Sequence, residues 1–282
     1  MKPAGVLYVV ATPIGNLDDI SSRARAVLQA ATVVAAEDTR HTRGLLDRLG
    51  VATPLTALHE HNEAQRVEEL LARLDAGGSV ALVSDAGTPL ISDPGYRLVA
   101  GARSRGFAVI AIPGCCAAVA ALSVAGLPTN RFRFEGFLPA RRAARRARLE
   151  EIQQCPDTLI FYEAVHRVRE TLEDLTDLFG SERPAFVARE MTKLHETSYS
   201  GTLRQVAAAL AADPGGDKGE FTLVIGGAPQ TAPGAVELAR VVKILAAQLP
   251  AGQAATLAAR LTGASRRDAY RLAMDASGAA EP

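Results

Sequence analysis

The sequence predicts two α/β domains in tandem with a cleft between them, followed by a small helical C-terminal tail. Three observations carry this. Short β-prone apolar runs alternate with helical segments through the first third of the chain, the texture changes at Arg131 where a second set of strands begins, and a Gly/Pro-rich segment from Gly226 to Gly234 precedes an all-helical remainder. The boundaries fall at residues 1–114, 115–228 and 229–282. A length of 282 residues suits about two domains with real cores.

In order, Leu7 to Ala11 reads as a strand, Thr12-Pro13-Ile14-Gly15-Asn16 as a turn, and Ser21 to Ala30 as a helix. Val33 to Ala36 forms the next strand, and a helix after Glu37-Asp38-Thr39-Arg40-His41 closes at Gly50. Another helix opens at Asn62, with Gln65 completing a variant capping box, and ends at Gly77-Gly78. Ala81 to Val83 is a buried strand that breaks into SDAGTPLISDPG, with Asp93-Pro94 as N-cap and first residue of a helix reaching Gly106. Phe107 to Ile112 is a strand, and Pro113-Gly114-Cys115-Cys116 leads to an alanine-rich helix ending at Gly126. FRFEGFLP then precedes an arginine-rich helix, a strand at Thr158 to Tyr162, a helix from His166 to Phe179, and strands at Ala185 to Arg189 and Phe221 to Ile225. In the tail, Leu257 to Leu261 and Ser265 to Met274 flank Thr262-Gly263-Ala264, a spacing that fits a helical hairpin packed on the body better than a DNA-reading helix-turn-helix.

Composition narrows the function. The 31 basic and 31 acidic side chains cancel, so a polyanion site has to come from local clustering. Cys115, Cys116 and Cys155 give neither a disulfide framework nor a metal-ligand spacing, which points to a reducing, cytoplasmic home. His59 and His61 lack a third ligand at matching spacing, so no metal is expected. The first thirteen residues carry one lysine and a short apolar run cut by Pro13, too short for a membrane span and without a signal-peptide pattern.

Several strand-end loops hold the candidate chemistry. SDAGTPLISDPG is longer than the usual βα connection of about 2–6 residues, and its glycines and prolines bring bare backbone toward anything bound at the sheet edge. TPIGN has one glycine where a dinucleotide fingerprint needs three, which favours a ligand recognised without a pyrophosphate. Glu37, Asp38, Arg40 and His41 crowd a second strand end. FYEAVHR and AREMTKLHE place Glu163, His166, Arg167, Glu190, Thr192, Lys193, His195 and Glu196 on a second sheet, with Glu220 at the start of the last strand. From Arg131 to Arg148 there are seven arginines and one glutamate, Glu135. Arg141, Arg142, Arg145, Arg146 and Arg148 fall on one helical face with no i,i+4 acidic partner inside the run, which suggests an RNA backbone as partner.

Taken together, ATPIGNLDDIS, AEDTRHT, LVSDAGTPLISDPG, FYEAVHR, AREMTKLHET and KGEFTLVI resemble the ribosomal RNA small-subunit methyltransferase I group of the tetrapyrrole methylase superfamily over essentially the whole chain. Two departures stand out: Cys115-Cys116 replaces a Pro-Ser pair, weakening any hydroxyl contact at position 116, and Val165 replaces a proline. The resemblance implies a tetrapyrrole methylase-like fold, a homodimer, and S-adenosyl-L-methionine-dependent methylation of a cytidine 2′-hydroxyl in the decoding region of 16S rRNA, free or in the assembled small subunit. It places the cofactor against Pro13, Ser84, Asp85, Ala86, Gly87, Thr88, Pro89, Cys116, Ala117, Tyr162, Met191 and Glu220. Candidates for a base are Glu190, Lys193 and Glu163, with Lys193 needing a lowered pKa. Candidate RNA contacts are Arg40, His41, Arg141, Arg142, Arg145, Arg146, Arg148 and Arg167.

Overall fold

The structure is a computed structural model that describes residues 5–59, 62–229 and 235–276. His61 and the linker positions Thr231, Pro233 and Gly234 lie outside the described residues. By contacts the chain divides into two units, 1–227 and 228–282.

The first sheet contains β1 (Val6–Val10), β2 (Val33–Ala36), β3 (Leu55–Ala57), β4 (Ser79–Val83) and β5 (Ala108–Ile112), in the order β3-β2-β4-β1-β5 and parallel throughout. Alternation along the strands decides the layers. Val80 and Leu82 of β4 pack toward α3 (Glu63–Asp75) and α4 (Tyr96–Ser104), whereas Ala81 and Val83 pack toward α1 (Ser22–Ala30) and α2 (Thr39–Leu49). With every strand parallel, the loops after β1, β2, β4 and β5 all leave the same sheet edge. Ser21 caps α1 through its hydroxyl, at the start of the helix the sequence places there, and Gly50 closes α2 with φ of 68° as the sequence predicts.

Two predicted starts shift. Asn62 does not cap α3; its side chain accepts from the His59 amide and donates to the Ala57 carbonyl, and Gln65 reaches forward to Glu69, so no capping box forms. Helix α4 begins at Tyr96 with Gly95 as N-cap at φ of 123°, because Asp93 turns back to the Ser84 hydroxyl instead of capping.

The second sheet holds β6 (Phe132–Phe137), β7 (Thr158–Ala164), β8 (Pro184–Arg189), β9 (Thr197–Thr202) and β10 (Glu220–Ile225), ordered β6-β7-β10-β8-β9. Only β6 and β7 run parallel; the other pairs are antiparallel. Helices α6 (Arg142–Ile152), α7 (Val168–Phe179) and α8 (Leu203–Ala212) cover one face over Leu159, Phe161, Val187, Leu223 and Ile225. Helix α5 (Ala117–Val124) covers the other through Ala118, Ala121 and Leu122 on Ile160, Phe186 and Val224. The short edge strand β9 and helix α8 are absent from the sequence reading; α8 starts in a full capping box between Thr202 and Gln205.

Among the described residues the 228–282 unit contains three helices, α9 (Ala235–Ala246), α10 (Ala251–Thr262) and α11 (Arg266–Ala276), so the two helices expected around Thr262-Gly263-Ala264 are joined by a third. They enclose a core of their own made by Leu238, Val242, Ala255, Ala258, Ala269 and Ala273.

The arginine-rich helix corrects the expectation of a free cationic face. Ala143, Ala144 and Ala147 face solvent, and the arginines turn inward onto acids of α7. Arg145 is 0% exposed, with Nε 2.8 Å from Asp174 and a second nitrogen 3.1 Å from Glu170. Arg142 and Arg146 share the same Asp174, Arg146 also reaches Asp177, and Arg148 pairs with Glu135 and Glu151. The α7 partners of Arg142, Arg145 and Arg146 lie about two dozen or more positions downstream, out of reach of any test for i,i+4 pairs, whereas Arg148 pairs closer in sequence, with Glu135 and with Glu151 at i+3. Arg145 therefore cannot touch RNA, and Arg142, Arg146 and Arg148 are committed to structural pairs; Arg141 alone of the set is exposed and without a partner among the described residues. Arg167 is likewise engaged, by the Glu163 carboxylate and the Leu138 carbonyl.

Asp174 is the buried centre of this cluster. Burial raises its proton affinity, but hydrogen bonds from Arg146, Arg145 and Arg142 outweigh that and hold the carboxyl below the ordinary aspartate range. A lowered folded-state pKa means its stabilisation is present above the unfolded value, about 4, and fades as pH falls below it. Asp174→Ala should cost about 3–5 kcal/mol at pH 7, because it strands buried guanidinium groups. Urea unfolding at pH 7 and again below pH 4 checks this: the gap between wild type and variant should narrow in acid, and a gap that is small at pH 7 would show the cluster to be exchangeable with solvent.

Candidate active site

The loop after β4 is pinned before it turns. Thr12 and Gly87 exchange backbone hydrogen bonds, Thr12 N to Gly87 O at 2.9 Å and Gly87 N to Thr12 O at 3.1 Å, and the Thr88 hydroxyl donates to the Cys115 carbonyl at 2.8 Å. Gly87 sits at φ of 79°, where a Cβ would stand 3.3 Å from Ile14 Cγ2. Leu90 and Ser92, both at φ of 73°, complete a strained path that a short connection would not need. The Ser84 hydroxyl donates to the Ala86 carbonyl behind the loop, and Asp85 accepts from the Asp38 amide, tying the β4 and β2 loops together.

The second sheet supplies the opposing wall. Tyr162 lies edge-on to Phe134 and Phe137, and its hydroxyl oxygen accepts from the Ala118 amide in the first turn of α5. Cys116 makes no side-chain cap there, so the tyrosine serves an amide that Cys116 leaves uncapped. Burial, and then the Cys116 thiol, push the Tyr162 phenol well up, so it stays neutral. Between the walls lies a cavity of about 460 Å³, lined by Ile14, Glu37, the Asp85–Thr88 stretch, Ile91, Ser92, Asp93, Cys116, Ala117, Phe137, Tyr162, Met191, Glu220 and Thr222 among others.

A second cavity of about 470 Å³ adjoins it, sharing Ile14, Asp85, Ala86 and Glu220. Its other walls are Pro13, Gly15 and Leu17 from the first loop, Arg40, His41, Gly44, Leu45 and Arg48 from α2, and Lys193. The turn after β8 reaches across to it: Asn16 N donates to Thr192 Oγ1 at 3.1 Å, and a Cβ on Gly15 would collide with Lys193 Cγ. Glu190 and Thr192 are left-handed, at φ of 53° and 64°.

Lys193 Nζ lies 2.8 Å from Glu190 Oε1 and 3.0 Å from Glu220 Oε2. Burial pulls the ammonium pKa down, but the two carboxylates outweigh it and leave it above the ordinary lysine value. Glu190 is pushed up by burial and, more strongly, down by Lys193 and the Glu220 amide, ending below the ordinary glutamate range. The lowered pKa that a base role would require of Lys193 is therefore not met. Glu163 is also a poor base: its carboxylate is 0% exposed and accepts from Thr171 Oγ1 at 2.7 Å, from its neighbour's amide and from Arg167.

Of the predicted cofactor contacts, Asp85, Ala86, Gly87, Thr88, Cys116, Ala117, Tyr162, Met191 and Glu220 converge on the first cavity, whereas Pro13 lines the second and Ser84 supports the loop from behind. Pro89 lines neither. The sequence reading missed Ile14, Asp93, Phe137 and Thr222; Thr222 was signalled by its place on the strand that pairs opposite Tyr162, but pairing is not visible in one strand alone.

Residues 6–207 match the family of Tetrapyrrole (Corrin/Porphyrin) Methylases, and residues 232–277 match the RsmI C-terminal HTH domain. Proteins named ribosomal RNA small subunit methyltransferase I are similar from end to end: 53% identity in Xylella fastidiosa strain Temecula1, covering 96% of this chain and 99% of that one, and 50% in Pseudomonas aeruginosa PAO1, covering 98% and 99%. The chain belongs to the ribosomal RNA small subunit methyltransferase I family. The family fold is shared more distantly with a uroporphyrin-III-C-methyltransferase from Thermus thermophilus (24% identity, TM-score 0.54, 79% and 94% coverage) and with a diphthine synthase (14%, TM-score 0.57, 79% and 90%). A Thermus thermophilus uroporphyrin-III C-methyl transferase with this fold was solved with S-adenyl homocysteine (19%, TM-score 0.53, 78% and 97%).

The residues present fit S-adenosylmethionine, the family's methyl donor. The first cavity has the size of a small-ligand site, its apolar walls include Ile14, Ile91, Phe137 and Met191, and the carboxyl groups that line it are those of Glu37, Asp85, Asp93, Glu163 and Glu220. Such a donor set suits a ligand that carries an ammonium and a sulfonium, and it disfavours one that carries a diphosphate. Asp93 is held above the ordinary aspartate range by burial against the pull of Ser84, with the nearby Asp85 charge adding to the rise. Gly87→Val should weaken S-adenosylmethionine binding at least tenfold, a change of about 1.4 kcal/mol, by calorimetry. Gly126→Val, equally left-handed at φ of 66° but outside the cavity, controls for backbone strain and should leave the affinity unchanged. Equal affinities for Gly87→Val and wild type would remove this loop from the cofactor site.

Proposed function

We infer that the protein transfers a methyl group from S-adenosylmethionine to the 2′-hydroxyl of a cytidine ribose in the decoding region of 16S rRNA. The observation that carries this reading is the pair of cavities meeting at Ile14, Asp85, Ala86 and Glu220, in a chain half identical over its length to relatives of one name.

S-adenosylmethionine, when bound, supplies a methyl already activated on a sulfonium. The protein's share is then positioning. The Ser84–Gly95 loop, the start of α5 and the end of β7 hold the donor; Ile14 and Ala86, common to both cavities, mark where an acceptor oxygen meets it and where water has to be excluded. Lys193 stays protonated and donates from Nζ, so its role is to orient an acceptor oxygen and stabilise negative charge developing there. Glu190 stays ionised and holds Lys193 in place. Neither group titrates near neutrality, and neither is the base; as the ribose oxygen takes the methyl and the sulfur–methyl bond breaks, the hydroxyl proton is released to solvent.

Labelled methyl transfer to small subunits lacking the modification, with the nucleoside mapped, tests the reading; methyl on a base, or none on RNA, would overturn it. Lys193→Ala should lower kcat about 10²-fold, the scale of one lost electrostatic donor, and leave cofactor affinity within about twofold. Because Lys193 is raised and Glu190 lowered, the wild-type profile between about pH 6 and 9 should show no step that Lys193→Ala or Glu190→Gln abolishes. Wild-type single-turnover rates in Lys193→Ala would leave positioning by the backbone as the whole mechanism.

The same reading includes a cytoplasmic homodimer. An rRNA substrate supports the location, and no helix among the described residues is long and apolar enough to cross a membrane. Exposed Val119 and Val124 on α5 and Phe132 on β6 support self-association. Light scattering at micromolar concentration should give twice the 29.6 kDa chain mass.

A further inference from the structure

Helix α2 contains a residue that the chain's own packing does not explain. Gly44 lies in the helix interior, where glycine costs about 1 kcal/mol relative to alanine. Its backbone is not left-handed, and a Cβ built on it meets no atom within 4 Å. Neither a turn nor a tight internal contact calls for glycine there. The open side faces the second cavity, which Gly44 lines with Arg40 and Arg48 at i−4 and i+4 on the same helical face.

The charges on this face are available, unlike those of α6. Arg48 and His41 are exposed and make no hydrogen bond or ion pair among the described residues. Among the described residues Arg40 pairs only with Asp38, and at 91% side-chain exposure that pair is weak and open to exchange. The acids that share the cavity are occupied: Asp85 accepts from the Asp38 amide, and Glu220 holds Lys193. From Arg40 to Arg48 the helix rises roughly 12 Å, 8 residues at 1.5 Å each, enough to meet more than one phosphodiester.

We propose that the Arg40, Gly44, Arg48 face of α2 is the track for the RNA backbone beside the acceptor ribose, with Gly44 left bare so that the strand lies against the helix. The proposal rests on the rRNA methyltransferase reading and adds where the acceptor strand runs. The arginines hold phosphates, the absent Cβ admits the sugar-phosphate chain, and the shared wall at Ile14 and Ala86 brings a ribose from this cavity toward the other.

Methylation kinetics on small subunits lacking the modification, at several salt concentrations, test it with Gly44→Ala, Arg48→Ala and, as a charge control, Arg66→Ala on α3. Gly44→Ala should melt at or above the wild-type temperature and yet raise KM for the RNA about tenfold, with S-adenosylmethionine affinity unchanged. Arg48→Ala should raise KM and reduce the slope of log affinity against log salt by about 0.7–0.9, one phosphate contact, whereas Arg66→Ala should keep the wild-type slope. Wild-type KM and slope in both cavity variants, with wild-type enzyme active, would overturn the track alone. Failure of wild type to methylate RNA would instead overturn the reading beneath it.

Discussion

The site depends on one close approach, that of the loop after β1 to the turn after β8. Gly15 lets the first loop pass where any side chain would strike Lys193, and the Asn16 amide then bonds Thr192 across two sheets that share no strand. The turn accepts this at the expense of left-handed Glu190 and Thr192, held by hydrogen bonds from the Thr192 amide to Glu196 and from the Glu190 amide to the Glu220 carbonyl. A second contact has the same character: a Cβ on Gly136, at the bulge of β6, would stand 3.0 Å from Ser92 Oγ in the β4 loop. Backbone of the second sheet is thus fitted to loops of the first, and the two cavities are the space left between the fitted pieces. Strain of this kind persists only where the surroundings over-determine it.

Within that frame the chemistry is divided by charge. Carboxylates gather around the first cavity, which suits a cationic methyl donor, and the exposed guanidinium groups of Arg40 and Arg48 line the second along α2, which suits a polyanion. Lys193 stands at the boundary, its charge fixed by Glu190 and Glu220. The departure at Cys115-Cys116 leaves this intact, because the Ala118 amide in the first turn of α5 is served by the Tyr162 hydroxyl and the Cys115 carbonyl is held by Thr88.

Much of this was legible in the sequence where local physics decides. The parallel strands, the Ser21 and Gly50 caps, the long loop after β4 and the motifs at the strand ends follow from short-range patterns and from glycine at left-handed positions. What failed was non-local. The arginines of α6 look unpaired because Glu170, Asp174 and Asp177 sit on another helix, and the Glu163 carboxylate looks available because Thr171 and Arg167 are invisible as its partners until β7 and α7 pack. Strand β9, TSYSGT, lacks an apolar run because an edge strand buries little; only Tyr199 is fully covered. A cluster of like charges in sequence is therefore a question about its neighbours in space, and here those neighbours remove the α6 arginines from the candidate RNA contacts and leave Arg40 and His41 of α2 among them.

The central claim is that donor and acceptor occupy adjoining cavities and that the acceptor strand lies along α2. Photo-cross-linking of a small-subunit rRNA fragment carrying a photoreactive nucleoside at the acceptor cytidine, with saturating S-adenosylhomocysteine, tests it most directly. The account predicts cross-links in peptides spanning Pro13–Leu17 and Arg40–Arg48, retained with the cofactor product bound. Cross-links confined to Arg142–Arg148, or ones at Ala86–Ser92 that S-adenosylhomocysteine abolishes, would contradict it.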